Sequence, residues 1–102
     1  MLWIFISVGA IDEARPLVRT IIELALIKHA TAVMLVHNHP HGGVKASPAD
    51  VDFTILLERE LHLIGINFVE HLIVDGKGYN PLLKDLREVM DVYRLIDLNK
   101  FY

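Results

Sequence analysis

The sequence predicts an α/β domain, a single mixed sheet flanked by helices, and three observations carry that prediction. Short apolar runs rich in β-branched and aromatic residues alternate with longer segments of helical periodicity. Most boundaries between them hold a glycine, a proline or a capping residue. The composition also suits one core, because 102 residues with 53% hydrophobic side chains fill a modest interior and are too few for two.

The first element is a strand from Leu2 to Val8, ended by Gly9. Met1 to Ile11 is apolar enough to resemble a signal-peptide core or membrane segment. However, it lacks a basic flank and is far shorter than the ~20 residues of a spanning helix. Trp3, Phe5 and Ile6 fit a strand. From Leu17 to Ala30 the residues are good helix formers. Arg19, Thr20 and Glu23 make a narrow polar stripe and Ile21, Ile22, Leu24, Ala25 and Leu26 cover the rest, so this helix is expected to be largely buried. Ala32 to Val36 reads as a short buried strand.

A second helix runs from Pro48 to about Ile64, with Ser47 as N-cap and Gly65 closing it. Phe53, Leu56, Leu57, Leu61 and Ile64 fit its inner side, while Glu58, Arg59 and His62 face solvent. Asn67 to Val74 is the next strand. After the Asp75-Gly76-Lys77-Gly78 turn, Asn80 and Pro81 open an amphipathic C-terminal helix over 80–102, with Leu82, Leu83, Leu86, Val89, Met90 and Tyr93 at helical spacing. Its apolar stripe would cover a sheet edge in its own molecule or pack on a neighbouring chain as a homodimer. No repeat or linker divides residues 1–102, so they read as one domain.

Charge narrows the function classes. Ten basic residues, dispersed along the chain, against thirteen acidic ones give a net charge of −3 and no strong nucleic-acid-binding signature. Nothing predicts a membrane segment. The absence of cysteine removes disulfides and thiolate ligands and is consistent with a cytoplasmic setting.

The chemistry lies in Val36-His37-Asn38-His39-Pro40, followed after seven residues by Ser47-Pro48-Ala49-Asp50. In an extended chain alternate residues share a face, so His37 and His39 can converge on one cation while Asn38 points away. Asp50, in the first turn of the second helix, is favoured there by the helix dipole. The loop with Gly42 and Gly43 can fold back to bring it to the histidines. Three protein ligands leave a fourth corner open, which is the catalytic arrangement of zinc: bound water has its pKa lowered to ~7 and a carbonyl is polarised. Ser47-x-x-Asp50 is also an ordinary capping box, and His-x-His also serves as a polar exit from a sheet.

The spacing His-x-His, seven residues, Ser-x-x-Asp resembles the JAMM (MPN-plus) metalloprotease motif, and the surrounding text resembles the RadC family. Ile6-Ser7-Val8-Gly9, the Arg19 to Leu26 helix, Gly65-Ile66, His71-Leu72-Ile73-Val74 and Gly78-Tyr79 extend the match over roughly the first four fifths of the chain. The resemblance implies a JAMM/MPN-like fold with cytidine-deaminase-like layering, opening inside the fold at its N-terminus. It implies zinc on His37, His39 and Asp50, with Ser47 beside the metal-bound water or stabilising an oxyanion, and His71 and Glu70 as supporting neighbours. His41 stands where the family has serine, Glu70 where it has aspartate, and Asn80-Pro81 where it keeps a strand-like stretch. The glutamate that serves JAMM enzymes as general base is missing from Leu2 to Val8, and losing such a base commonly removes ~10²–10⁴-fold in rate. Asp12, Glu13, Glu23 and Glu70 are the substitutes available in the sequence.

Two functions follow. One is a zinc hydrolase acting on amide or isopeptide bonds of a peptide substrate. The other is a metal-binding interaction module without turnover, in the DNA-repair setting attached to the RadC name. An HNH nuclease fits less well, because such sites spread their residues over a hairpin and helix.

Overall fold

The structure, a computed structural model, describes residues 2–11, 13–39 and 42–88. Strand β1 (Trp3–Val8) leads through α1 (Ala14–Ile27) to β2 (Ala32–Asn38), then through α2 (Pro48–Leu63) to β3 (Asn67–Val74) and β4 (Tyr79–Pro81). Residues 82–88 are helical and are called α3. The four strands form one sheet in the order β1-β2-β3-β4, with β1, β2 and β3 parallel and β4 antiparallel to β3. This is the mixed sheet with helices that the alternating pattern predicts.

Register divides the sheet into two unlike faces. The rows Ile4–Val33–Phe68, Ile6–Leu35–His71 and Val8–His37–Ile73 point to one side. There Val33, Leu35, Phe68 and Ile73 are buried and form, with Val18, Ile21, Ala25, Phe53, Leu57 and Leu61, the interior of the molecule. Two right-handed crossovers that advance in the same direction along a sheet leave both helices on one face. Accordingly α1 and α2 pack on each other. His37 and His71 belong to this covered face, so the histidines grow out of the hydrophobic layer itself.

The helices depart from expectation in ways that follow from this one-sided cover. Helix α1 starts and ends three residues early, and it buries only Val18, Ile21 and Ala25 while Leu24, Leu26 and Ile27 are exposed. A helix with one neighbouring layer buries one stripe, so its second apolar flank stays open. In α2, Phe53, Leu57 and Leu61 are buried as predicted. Ile64 is exposed because it is the C-cap, past the last helical turn. Glu58 is half-buried and pairs with Arg87 at 3.3 Å, so it is not a solvated residue. Gly65, at φ +75°, supplies the left-handed residue that turns the chain into β3.

Asn80 and Pro81 lie in β4, paired with Ile73 and Leu72, and do not open a helix. The family's strand-like stretch is therefore kept despite the altered residues. Helix α3 starts one residue later, and its N-terminus is capped from a distance. Glu70 Oε1 accepts the Leu83 N–H at 2.6 Å and its own neighbour's His71 N–H at 2.8 Å, and Oε2 accepts the Lys84 N–H at 3.2 Å. A carboxylate satisfies the orphan donors and complements the helix dipole. Val89, Met90 and Tyr93 of the expected amphipathic stripe, and the rest of 89–102, lie outside the described residues. Among the described residues no helix is long and apolar enough to cross a membrane.

Replacing Glu70 with alanine strips α3 of this cap, and urea denaturation should then show a loss of about 1–2 kcal/mol with the slope unchanged. A variant as stable as the wild type would mean that α3 starts without the carboxylate.

Candidate metal centre

The site forms where β2 ends and α2 begins. His37 is the sixth residue of β2 and is buried. His39 lies just past the strand, pinned by its backbone N–H on the Val74 carbonyl at 2.8 Å. The chain then turns through Gly42 and Gly43, whose φ values of +85° and +83° are left-handed and suit glycine. The return is held by three contacts. Gly43 N–H donates to Asp75 Oδ2 at 2.9 Å, the Asn80 side chain donates to the Val44 carbonyl at 2.9 Å, and His39 Nδ1 donates to the Gly43 carbonyl at 3.1 Å. Backbone N–H groups of Lys77, Gly78 and Gly43 hold the Asp75 carboxyl below the usual carboxylate range.

Both readings of Ser47-Pro48-Ala49-Asp50 are realised together. Ser47 Oγ accepts the Asp50 N–H at 3.0 Å, and Asp50 Oδ2 accepts the Ser47 N–H at 2.8 Å, a reciprocal capping box at the start of α2. The same carboxylate faces the imidazoles. His37 Nδ1 lies 3.4 Å from Asp50 Oδ1, and His39 Nε2 lies 3.3 Å from Asp50 Oδ2. Asp50 is only 2% exposed.

These distances suit an ion better than hydrogen bonds. Ligands about 2.0–2.2 Å from a tetrahedral zinc stand ~3.3–3.5 Å apart, and one ligand atom from each of His37, His39 and Asp50 falls within 4.8 Å of the others. His37 Nδ1 is buried and has no hydrogen-bond partner, an orphan that a cation would satisfy. Burial lowers the His37 pKa, with the neighbouring Asp50 opposing and His39 reinforcing, so the ring offers a lone pair at neutral pH. With Nδ1 of His39 donating to Gly43, its Nε2 is left as the acceptor that faces Asp50. This is the outer hydrogen bond that orients metal-binding histidines. The residues present fit a divalent ion of the zinc type.

A cleft of about 700 Å³ opens beside the cluster, with Ser7, Val8, Gly9, Ala10 and Ile11 as one wall and Asn38, Gly42 and Ser47 completing it around the ligands. That size accommodates a peptide segment or small ligand. Of the substitute acids, Glu13 sits exposed at the N-cap of α1, Glu23 is exposed and bound to Arg19 at 2.8 Å, and Glu70 is committed to α3; Asp12 lies outside the described residues, as does His41. His62 and His29 are exposed at the ends of α2 and α1, away from the cluster.

His71 is fully buried, stacked on His37 with ring centroids 5.6 Å apart. Its partner is a residue the sequence reading overlooked. Thr54 Oγ1 lies 2.6 Å from His71 Nδ1 and 2.7 Å from the Asp50 carbonyl. A hydroxyl has one proton; with that proton on the carbonyl, the Thr54 lone pairs receive the His71 Nδ1–H. The sequence signal was a polar residue on the buried face of α2, one turn after Asp50. Desolvation, reinforced by the neighbouring imidazoles of His37 and His39 and opposed by the Asp50 carboxylate, pushes the His71 pKa down to about 4.

Over residues 3–87 the chain matches the family described as the RadC-like JAB domain, a stretch that contains the whole cluster. It is 43% identical over 70 residues to a UPF0758 protein of Pseudomonas entomophila (strain L48), covering 68% of this chain and 31% of that one. A UPF0758 protein of Lactococcus lactis subsp. lactis (strain IL1403) is 35% identical over 74 residues, covering 72% and 33%. One of Pseudomonas fluorescens (strain SBW25) is 39% identical over 77, covering 76% and 34%. The chain spans about a third of the length of the curated relatives it matches, and their names describe no reaction.

The buried neutral His71 makes metal-free stability depend on pH. The unfolded chain binds its proton below the ordinary value of 6.5 and the folded one only below about 4, so stability is complete above 6.5 and declines as pH falls through that window. The loss by pH 4 should be about 3 kcal/mol from this residue. His71→Leu should flatten the denaturation midpoint across that range, and an unchanged slope would contradict the assignment.

Proposed function

Because the chain belongs to the RadC-like JAB domain family, we propose that it is a zinc-dependent hydrolase of amide or isopeptide bonds, with His37, His39 and Asp50 holding the ion. The observation that carries this reading is the buried carboxylate set 3.3–3.4 Å from two imidazole nitrogens, one of them without any other partner. Bound zinc would supply a polarised carbonyl and a water with a pKa of ~7.

The chain's own residues supply the rest. Ser47 Oγ is occupied as an acceptor by the Asp50 N–H, which leaves its proton free to donate to a carbonyl oxygen that gains negative charge in the cleft. His71 and Thr54 act behind the cluster: the Thr54 hydroxyl bridges the α2 backbone at Asp50 to the ring stacked on His37, and so keeps carboxylate and imidazole in mutual position. The wall from Ser7 to Ile11 offers backbone and small side chains for an extended substrate.

A second reading has one observation in its favour. Among the described residues lining the cleft, Asp50 is the single carboxylate, so among them no separate general base stands beside it. The chain would then bind zinc and act through contacts, gaining stability from the metal without turning over substrate.

Calorimetry with zinc should give one ion per chain, and His37→Ala or Asp50→Asn should weaken binding by more than the ~10–100-fold of an outer-shell change. Affinity should fall as pH drops toward ~6, since protons compete for the imidazoles; retention unchanged at pH 5 would exclude histidine ligation. On a panel of peptide and isopeptide substrates, Ser47→Ala should lower the rate of the zinc-loaded protein ~10²–10³-fold with zinc affinity kept, and Ser47→Thr should restore it. A zinc-loaded protein inert on that panel would leave the contact-based reading in place.

A further inference from the structure

We propose that Asp75, in the turn between β3 and β4, is a positioning residue for His39 and acts on it through the backbone of Gly43. The inference rests on the metal reading above and names what aims one of its ligands. The two oxygens of Asp75 have different jobs. Oδ1 accepts the Lys77 and Gly78 N–H groups at 2.9 and 2.8 Å, the ordinary side-chain brace of an Asp-Gly turn. Oδ2 takes no part in that brace. It reaches 32 positions back along the chain and accepts the Gly43 N–H at 2.9 Å. The same glycine offers its carbonyl to His39 Nδ1 at 3.1 Å. A turn that the sequence marks only as a link between strands is thus joined, through one residue, to the ring of a candidate ligand.

The loop needs such an anchor. Gly42 and Gly43, at φ +85° and +83°, give it its shape but no stiffness, since glycine loses the most conformational freedom on being fixed. The Gly43 carbonyl must nevertheless stay in place, because it decides which nitrogen of the neutral His39 ring carries the proton. With that proton on Nδ1, Nε2 keeps the lone pair that faces Asp50 Oδ2, 3.3 Å away. The N–H and C=O of Gly43 belong to different peptide planes, so Asp75 acts by fixing the residue in space and not by polarising the bond to His39. The end of β3 grips His39 a second time, since the Val74 carbonyl accepts its backbone N–H at 2.8 Å. Main chain and ring of one ligand are therefore set by adjacent residues, Val74 and Asp75, at the end of a paired strand. Asn80 fastens the following residue by donating to the Val44 carbonyl at 2.9 Å. Backbone N–H groups of Lys77, Gly78 and Gly43 favour the ionised form of Asp75, which keeps both oxygens as acceptors.

Asp75→Asn separates the two jobs, because an amide keeps one oxygen for the turn and sets an NH2 group against the Gly43 N–H, donor facing donor. In the full chain, zinc affinity measured against a competing chelator should fall ~10–100-fold, the size of change seen when the outer partner of a ligating histidine is lost. Circular dichroism should not change. The loss should persist in about 1 M salt, where the effect of a distant charge is screened away. In the zinc-free protein at about pH 8, nitrogen NMR of the imidazoles should show His39 held in its Nδ1–H form, and a mixture of both tautomers in Asp75→Asn, with His71 the same in both. Wild-type zinc affinity in the variant, an affinity loss that vanishes in salt, or an unaltered His39 tautomer would overturn the proposal. A wild-type chain that binds no zinc would sink the metal reading instead, and the His39 tautomer in Asp75→Asn would still decide whether Asp75 positions that ring.

Discussion

Asp50 carries two obligations at once, and the arrangement of the site depends on their being compatible. Its carboxylate completes the capping box that starts α2, and it lies 3.3–3.4 Å from the imidazoles at the end of β2. A buried carboxylate needs partners for its lone pairs, and two histidine rings and one backbone N–H surround this one. Helix start and candidate metal site are therefore a single construction. The same hydrogen bonds that begin the helix point the carboxylate, and the helix dipole at that end favours the negative charge that a cation would share.

The rest of the molecule serves to bring the end of β2 against the start of α2 and to keep the return loop short. Parallel pairing with β1 and β3 carries His37 into the covered row beside Val8 and Ile73. Loop 42–47 is then tied on its far side to the turn before β4 by Asp75 and to β4 itself by Asn80. Thr54 connects the second layer, since its hydroxyl reaches both the α2 backbone and His71. Each of these contacts is a modest hydrogen bond worth about 1 kcal/mol. Their value lies in geometry, because a cation site loses its purpose when ligands stray by an ångström.

The two faces of the sheet show how one architecture separates tasks. The helical side holds the core and, at its carboxyl end, the polar cluster, as is usual for crevices beyond the ends of parallel strands. The other side carries Trp3, Phe5, Met34, Val36 and Leu72 in register, with Glu70 the one charged residue among its paired positions. Glu70 illustrates the separation. A residue next in sequence to His71 spends both oxygens on backbone N–H groups, those of Leu83 and Lys84 at the start of α3 and that of His71 itself.

Much of this was legible in the residues alone. Hydrophobic periodicity located β1, β2, β3 and α2 to within a few positions, because each segment's own pattern of burial is local. Spacing also singled out His37, His39 and Asp50, since strand alternation and a helix cap are short-range rules that place side chains without knowledge of the whole. Boundaries that depend on neighbours were not legible. Pro81 reads as the first residue of a helix until β3 is seen to offer it a strand partner, and Leu24 and Leu26 read as core until both helices are found on one face. Thr54 and Glu70 are ordinary polar residues in the text; their roles arise from partners 17 and 13–14 positions away. Local order and donor chemistry were thus written in the chain itself. The buried pairings and the one-sided placement of α1 and α2 came only with the packing, because they depend on which distant groups the fold brings together.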